Sequence, residues 1–209
     1  MDDLPAEVKE RVQQLEAFMK GHRGAIYTGK YLGRKVAVKV QRSDTDAVGT
    51  VDNEAEKLKV LNQHDIGPTL LFSGKDFMVY EFVEGEFILD YFEHCAREEM
   101  LDVLKDVMNQ MFALDQLGIN KEEMHHPVKH VVIRVHDRKP VLLDFERCKH
   151  NTKMKNVTQF CQFIVGGKMM PYMEKHQLGI SQAKMLELAQ KYKNERSKDN
   201  FNDIMELLR

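Results

Sequence analysis

The sequence predicts an α+β protein with its strands gathered in the first half and its helices filling the second. Three observations predict it. Short runs rich in Val, Ile, Phe and Tyr, bounded by Gly-containing turns, occupy residues 25–82 around one helical stretch. Beyond Gly85 the apolar period lengthens from two residues to between three and four. The 209 residues are 43% hydrophobic and 31% charged, the balance of a globular chain with a proper core, and no run approaches the length of a membrane span.

Taken in order, residues 5–20 read as a helix, with Val8, Val12, Leu15, Phe18 and Met19 on one face and Pro5 suited to the first turn. Gly21-His22-Arg23-Gly24 breaks that pattern. A hairpin follows: Ala25–Thr28 and Lys35–Val40 are its strands, and Lys30-Tyr31-Leu32-Gly33 its turn. Residues 53–61 read as a helix ended by Ile66-Gly67-Pro68, and residues 69–73 and 77–82 as strands joined at Gly74-Lys75-Asp76. Residues 96–117 carry Met100, Leu101, Leu104, Met108, Met111, Phe112 and Leu117 at helical spacing, a long amphipathic helix. Two short strands at 131–135 and 140–143 and helices around 156–165, 181–193 and 199–208 complete the chain. The division between the β-rich and helical parts falls at residues 84 and 85.

The formal charge of −2 gives no bulk attraction to nucleic acid or membrane. Cys95, Cys148 and Cys161 are odd in number, with no C-x-x-C spacing. That usage points to a reducing, intracellular and cytoplasmic setting rather than a disulfide frame. The opening Met1-Asp2-Asp3-Leu4-Pro5 has no secretory character.

Two stretches carry the chemistry. Val36-Ala37-Val38-Lys39 puts a Lys at the end of an apolar strand, and Val141-Leu142-Leu143-Asp144 does the same for an Asp. A Lys on such a strand either reaches water at the strand end or pairs with an anion. An Asp there either caps a helix or binds a hard cation such as magnesium. Glu54 stands on the intervening helix as a carboxylate for Lys39, while Glu56, two positions on, faces another side. Gly21 and Gly24 flank a turn whose backbone can approach a phosphate, and Ile26 lies thirteen residues before Lys39. Lys129 lies fifteen residues before Asp144, in Pro127-Val128-Lys129-His130-Val131.

In this order the residues resemble the protein-kinase-like fold. Gly21-x-x-Gly24-x-Ile26 resembles a Gly-rich loop with Met19 in place of its first Gly, Val36-Ala37-Val38-Lys39 is nearly V-A-I-K, and Glu54 stands at the αC Glu. Val79–Gly85 resembles the hinge, with Tyr80 as gatekeeper, and Asp144-Phe145-Glu146 stands for D-F-G. The match covers roughly residues 15–165. It is nearest to small prokaryotic-type predicted serine/threonine protein kinases that share a Pro-x-Lys-His-Val stretch and Asp-Phe-Glu. RIO-type kinases and the small kinase subunit of the KEOPS complex are more distantly similar.

The resemblance implies a minimal bilobal fold: an antiparallel β lobe with one αC-type helix over residues 1–84, and a reduced helical lobe over residues 85–209 without a full activation segment. It implies ATP and magnesium (Mg2+) as cofactors. Lys39 and Glu54 would serve the phosphates, Asp144 the metal, and Gly21, Gly24, Ile26, Ala37 and the backbones of Glu81 and Val83 the nucleotide. The acceptor would be a hydroxyl of a protein or a small molecule. One alignment of the catalytic loop puts Pro127 at its Asp and Val132 at its Asn, neither of which can act. A second reads Lys121-Glu122-Glu123-Met124 as H-G-D-L; it makes Glu123 the carboxylate at the acceptor, Lys129 the cation at the γ-phosphate, and His130 a metal ligand in place of the Asn. The alternative to a working kinase is a pseudokinase that binds nucleotide and acts through a partner.

Overall fold

A computed structural model of the chain describes residues 4–21, 24–42, 49–151 and 153–209. Expectations that fall on Met1–Asp3, His22 and Arg23 lie outside the described residues. The protein is α+β and divides into two compact units, one of residues 1–84 with 144–147 and one of residues 85–143 with 148–209.

The first unit begins with helix α1 (Ala6–Arg11), followed by strands β1 (Gln13–Lys20), β2 (Gly24–Tyr31) and β3 (Arg34–Gln41). Helix α2 (Thr50–Leu61) and strands β4 (Leu70–Gly74) and β5 (Phe77–Glu81) follow. The five strands form one antiparallel sheet in the order β1-β2-β3-β5-β4. The β2–β3 hairpin closes at Leu32-Gly33, both with positive φ (49° and 77°). That two-residue turn matches the right-handed twist of the strands, and Gly33 adopts its conformation without strain.

One expectation is corrected here. The helical spacing over residues 5–20 produces a helix only as far as Arg11, and the chain then turns at Val12 into β1. The edge of β2 offers Gln13–Lys20 a ladder of backbone partners, and pairing of that kind outweighs propensity differences of a few tenths of a kcal/mol per residue. Val8 and Val12 still bury together with Leu4, so the apolar spacing is satisfied by the corner instead of by a continuous helix.

Strand β3 explains the layering. Val36, Val38 and Val40 project to one face, where they pack with Phe77, Val79, Leu4, Val8 and Val12. Each such buried side chain contributes roughly 1.5–3 kcal/mol. Ala37 and Lys39 project to the opposite face by the two-residue period of a strand.

The second unit holds β6 (Gly85–Phe87), α3 (Ile88–Phe92), α4 (Arg97–Gln116), β7 (Ile119–Asn120), β8 (Val131–Arg134), β9 (Pro140–Leu142) and β10 (Lys149–His150). Helices α5 (Asn156–Ile164), α6 (Met170–Lys175), α7 (Gln182–Asn194) and α8 (Lys198–Met205) follow. Helix α4 is its spine: Leu104, Val107, Met108, Met111 and Leu114 are buried, and Phe112 stacks on Phe201 of α8 with ring centroids 4.3 Å apart. Glu99 reaches back to the Ala96 amide at 2.8 Å and so satisfies an orphan donor at the start of α4. Within this core Asp115 accepts hydrogen bonds from Asn156 Nδ2 (2.7 Å), the Asn156 amide (3.2 Å) and the Tyr192 hydroxyl (3.1 Å). Strands β6, β8 and β9 pair as a small antiparallel sheet, and β7 pairs with β10. All three cysteines are buried thiols. Among the described residues, no helix is long and apolar enough to cross a membrane.

Candidate functional site

Lys39 sits in register with Ile26 on β2 and Met78 on β5; Ala37 sits with Thr28 and Tyr80. Residues directly opposite each other in an antiparallel pair share a face, so Ile26, Ala37, Lys39, Met78 and Tyr80 line the side of the sheet away from the valine core. Burial on α2 brings Glu54 to this group: only 3% of it is exposed, and its Oε2 lies 2.6 Å from Lys39 Nζ. Glu56 lies on the outer face of α2, where it pairs with Lys59 at 2.5 Å.

The other Glu54 oxygen, Oε1, accepts the Phe145 amide at 2.9 Å, and the neighbouring Asn53 Nδ2 donates to the Glu146 carbonyl at 3.1 Å. Helix α2 therefore holds the segment 144–146 by two consecutive residues. The Phe145 ring is fully buried against the turn at Gly67, whose φ is +80°. A Cβ on Gly67 would lie 2.9 Å from Phe145 Cε2 and 2.8 Å from Leu58 Cδ2, so glycine is required there by both backbone and space.

Asp144 has φ +62°, a left-handed conformation that is uncommon for a non-glycine residue and that Asp adopts more readily than most. No helix begins at Asp144; the next one starts at Asn156, so a capping role is excluded. Its carboxylate, 43% exposed, lies 4.0 Å from Lys39 Nζ. Glu146 comes closer, at 3.2 Å. Burial alone would lower the Lys39 pKa, but Glu54, then Asp144 and Glu146, outweigh it and hold the ammonium above its ordinary value. Burial raises the Tyr80 phenol, with Glu54 adding to that and Lys39 opposing it.

Among the described residues, three carboxylates lie within 4.0 Å of the Lys39 ammonium. Oxygens of Glu54, Asp144 and Glu146 lie within 4.8 Å of one another. Such a set of hard oxygen donors could hold a metal ion.

The Gly-rich turn approaches the same Lys. The Gly21 amide donates to the Gly24 carbonyl at 2.9 Å, and Arg42 donates to the Gly21 carbonyl at 3.0 Å. A Cβ on Gly24 would stand 3.0 Å from the Val40 carbonyl oxygen and 3.7 Å from Lys39 Cε, so the backbone runs close along the lysine stem. Glu81 ends β5 and gives its amide to the Thr69 carbonyl at 2.9 Å; Val83 follows two residues later, after Phe82 has donated to the Lys35 carbonyl.

Glu123, Lys129 and His130 belong to the second unit. Glu123 has φ +73°, and its Oε2 lies 3.1 Å from His130 Nε2. The His130 amide donates to Pro127, and its carbonyl accepts the Leu143 amide, both at 2.8 Å. Lys121, only 2% exposed, donates from Nζ to the Leu143 carbonyl at 2.7 Å. Lys129 ends a 3-10 turn begun by Pro127 and is exposed, whereas Val132 is buried in β8. His130, read from the sequence as a metal ligand, lies beside Glu123 in the second unit, and Asp144 stands with Glu54 and Glu146 in the first.

The structure therefore brings together Lys39, Glu54, Asp144, Gly24, Ile26 and Ala37 in the first unit, and Glu123 with His130 in the second. Sequence reasoning assigned no role to Glu146 or Lys121. Glu146 carried a signal, a second acid two residues after Asp144 on the same turn; Lys121 carried none.

No family model matches the chain. An uncharacterized protein of Methanocaldococcus jannaschii is 28% identical to it over 116 residues, a stretch that covers 54% of this chain and 97% of that protein.

Proposed function

We propose that the protein is an ATP-dependent phosphotransferase with a minimal two-lobed protein-kinase-like fold, an atypical serine/threonine kinase that passes the γ-phosphate to a hydroxyl acceptor. The observation that carries this reading is the Lys39–Glu54 pair at 2.6 Å with Asp144 beside it. A buried ammonium fixed by a carboxylate on a neighbouring helix is what phosphate oxygens require, and phosphoryl transfer depends mainly on positioning and charge neutralisation.

In this reading Lys39, oriented by Glu54, binds the α- and β-phosphates. Ile26 and Ala37 pack on the adenine, the Gly21–Gly24 turn covers the phosphates, and the backbones of Glu81 and Val83 recognise the base edge. Asp144, with Glu146, would hold magnesium, which when bound neutralises charge developing on the phosphoryl oxygens. In the second unit the resemblance gives Glu123, with His130 beside it, the acceptor hydroxyl, and gives Lys129 the γ-phosphate.

Incubation with γ-labelled ATP and magnesium tests the reading. The wild type should label a protein or small-molecule acceptor or release phosphate, and Asp144→Ala should do neither; equal labelling by both would remove the assignment. The burial of Val132, at the position where a kinase carries its metal-binding Asn, favours a second reading, a pseudokinase that binds nucleotide without transfer. Saturable ATP binding with no label transferred and no phosphate released would select it.

A further inference from the structure

Helices α5 and α7 of the second unit lie antiparallel, tied at both ends. Gln182, which opens α7, donates from Nε2 to the Val165 carbonyl just past the end of α5, at 3.3 Å. Arg196, just past the end of α7, donates to the Met154 carbonyl just before α5, at 3.4 Å. Residues 155, 159 and 162 on one side and 186, 190 and 193 on the other keep the spacing of a single helix face. Between these two rows runs a cleft of about 460 Å³.

The antiparallel arrangement sorts the lining by chemistry. Lys155, at the start of α5, and Lys193, in the last turn of α7, fall at one end. Gln162 and Leu186, the latter 41% exposed, fall at the other. Other lysines of α7 are neutralised: Lys184 pairs with Glu187 at 2.9 Å and Lys191 with Asp203 at 2.8 Å. Lys155 and Lys193 have no such partner among the described residues, and no Asp or Glu among these lines the cleft. Between the two ends, Gln159 buries its amide oxygen with no donor among the described residues. A buried acceptor of this kind calls for an N–H.

We propose that the cleft is a docking site for a short, extended, acidic segment of a partner protein. One or two carboxylates of that segment lie over Lys155 and Lys193, a backbone amide donates to Gln159, and an apolar side chain rests against Leu186. From residue 155 to residue 162 a helix rises about 10 Å. An extended chain covers that distance in about three residues, so the acid and the apolar side chain stand about three positions apart. The lining favours peptide over nucleic acid. It offers two cations and no aromatic ring on which a base could stack, in a chain of formal charge −2. Charge complementarity then sets the choice of partner.

Fluorescence anisotropy with two labelled peptides, Glu-Glu-Ser-Leu and its reverse Leu-Ser-Glu-Glu, tests the proposal in either chain direction. At least one should bind the wild type saturably below about 1 mM. The double variant Lys155→Glu with Lys193→Glu should bind that peptide at least about tenfold more weakly and should bind Lys-Lys-Ser-Leu in its place. Leu186→Asp should also weaken the acidic peptide. Both lysines are exposed, so the double variant should unfold at the wild-type temperature, which separates lost binding from lost fold. No saturable binding of either peptide by the wild type, or equal affinity in the double variant, would overturn the proposal. So would free glutamate binding as tightly as the peptides, which would make the cleft a small-anion site. Preference for a single-stranded oligonucleotide over both peptides would overturn it in favour of nucleic acid.

Discussion

Glu54 of α2 and Lys39 of β3 meet at 2.6 Å, and the same carboxylate caps the Phe145 amide at 2.9 Å. One side chain thus ties a helix, a strand and the turn that carries Asp144 into a single arrangement. Glu54→Ala should cost about 3 kcal/mol, because it removes the shortest ion-pair partner of a largely buried ammonium and the acceptor of the Phe145 amide. Glu54→Gln keeps an acceptor and should cost about half as much. Urea unfolding of both variants checks the order; equal stability of Ala and wild type would remove the structural role of Glu54.

Glu123 is held in a strained backbone conformation beside His130. Glu123→Gln should lower phosphate transfer by about a hundredfold, the usual share of a positioned acid or base, with nucleotide affinity within about threefold of wild type. His130→Ala should lower transfer less, and His130→Gln should restore part of the loss. Stopped assays with labelled ATP read the first effect and titration the second; full activity in Glu123→Gln would move the transfer step to another residue.

Asp115 satisfies three donors inside the second unit. Burial pushes its carboxyl above the usual range, against the lowering effect of the Asn156 and Tyr192 hydrogen bonds. Asp115→Ala should destabilise the protein by about 3 kcal/mol, since the Asn156 and Tyr192 donors lose their shared acceptor. Asp115→Asn, which retains one carbonyl oxygen, should be markedly milder. Thermal unfolding of the two variants separates loss of acceptors from loss of charge.

Acid should release one surface clasp. The Arg134 hydrogen bonds, with help from the Lys139 amide, hold Asp137 at about 2, below its ordinary 3.8. A depressed folded pKa means the stabilisation is present above pH 3.8 and is lost as pH falls toward 2. Because the pair is partly solvated, its worth is on the order of 1 kcal/mol. The stability gap between wild type and Asp137→Asn should therefore be constant near neutrality and close between about pH 4 and 2.

Much of the first unit is legible in the sequence because its signals are local. The two-residue alternation of Val36, Val38 and Val40 against Ala37 and Lys39 fixes both the core face and the site face of β3, and the helical register of α2 separates Glu54 from Glu56. Residues 13–20 mislead because their fate depends on the edge of β2, a partner that a helical periodicity does not contain. Glu146 was missed for a related reason. Its proximity to Lys39 depends on the turn that gives Asp144 its positive φ and on the Asn53 bond to its carbonyl, both products of tertiary packing. The 3.1 Å approach of Glu123 and His130 likewise depends on the 3-10 turn at Pro127, which seats His130 seven residues after Glu123.

In the proposed phosphotransferase, Lys39 receives nucleotide phosphates only when magnesium is present. Thermal-shift titration of wild type and Lys39→Ala with ATP, with magnesium and with EDTA, tests it most directly. The melting temperature of the wild type should rise with magnesium and ATP together, and that of Lys39→Ala should not. An equal rise in both proteins would contradict it.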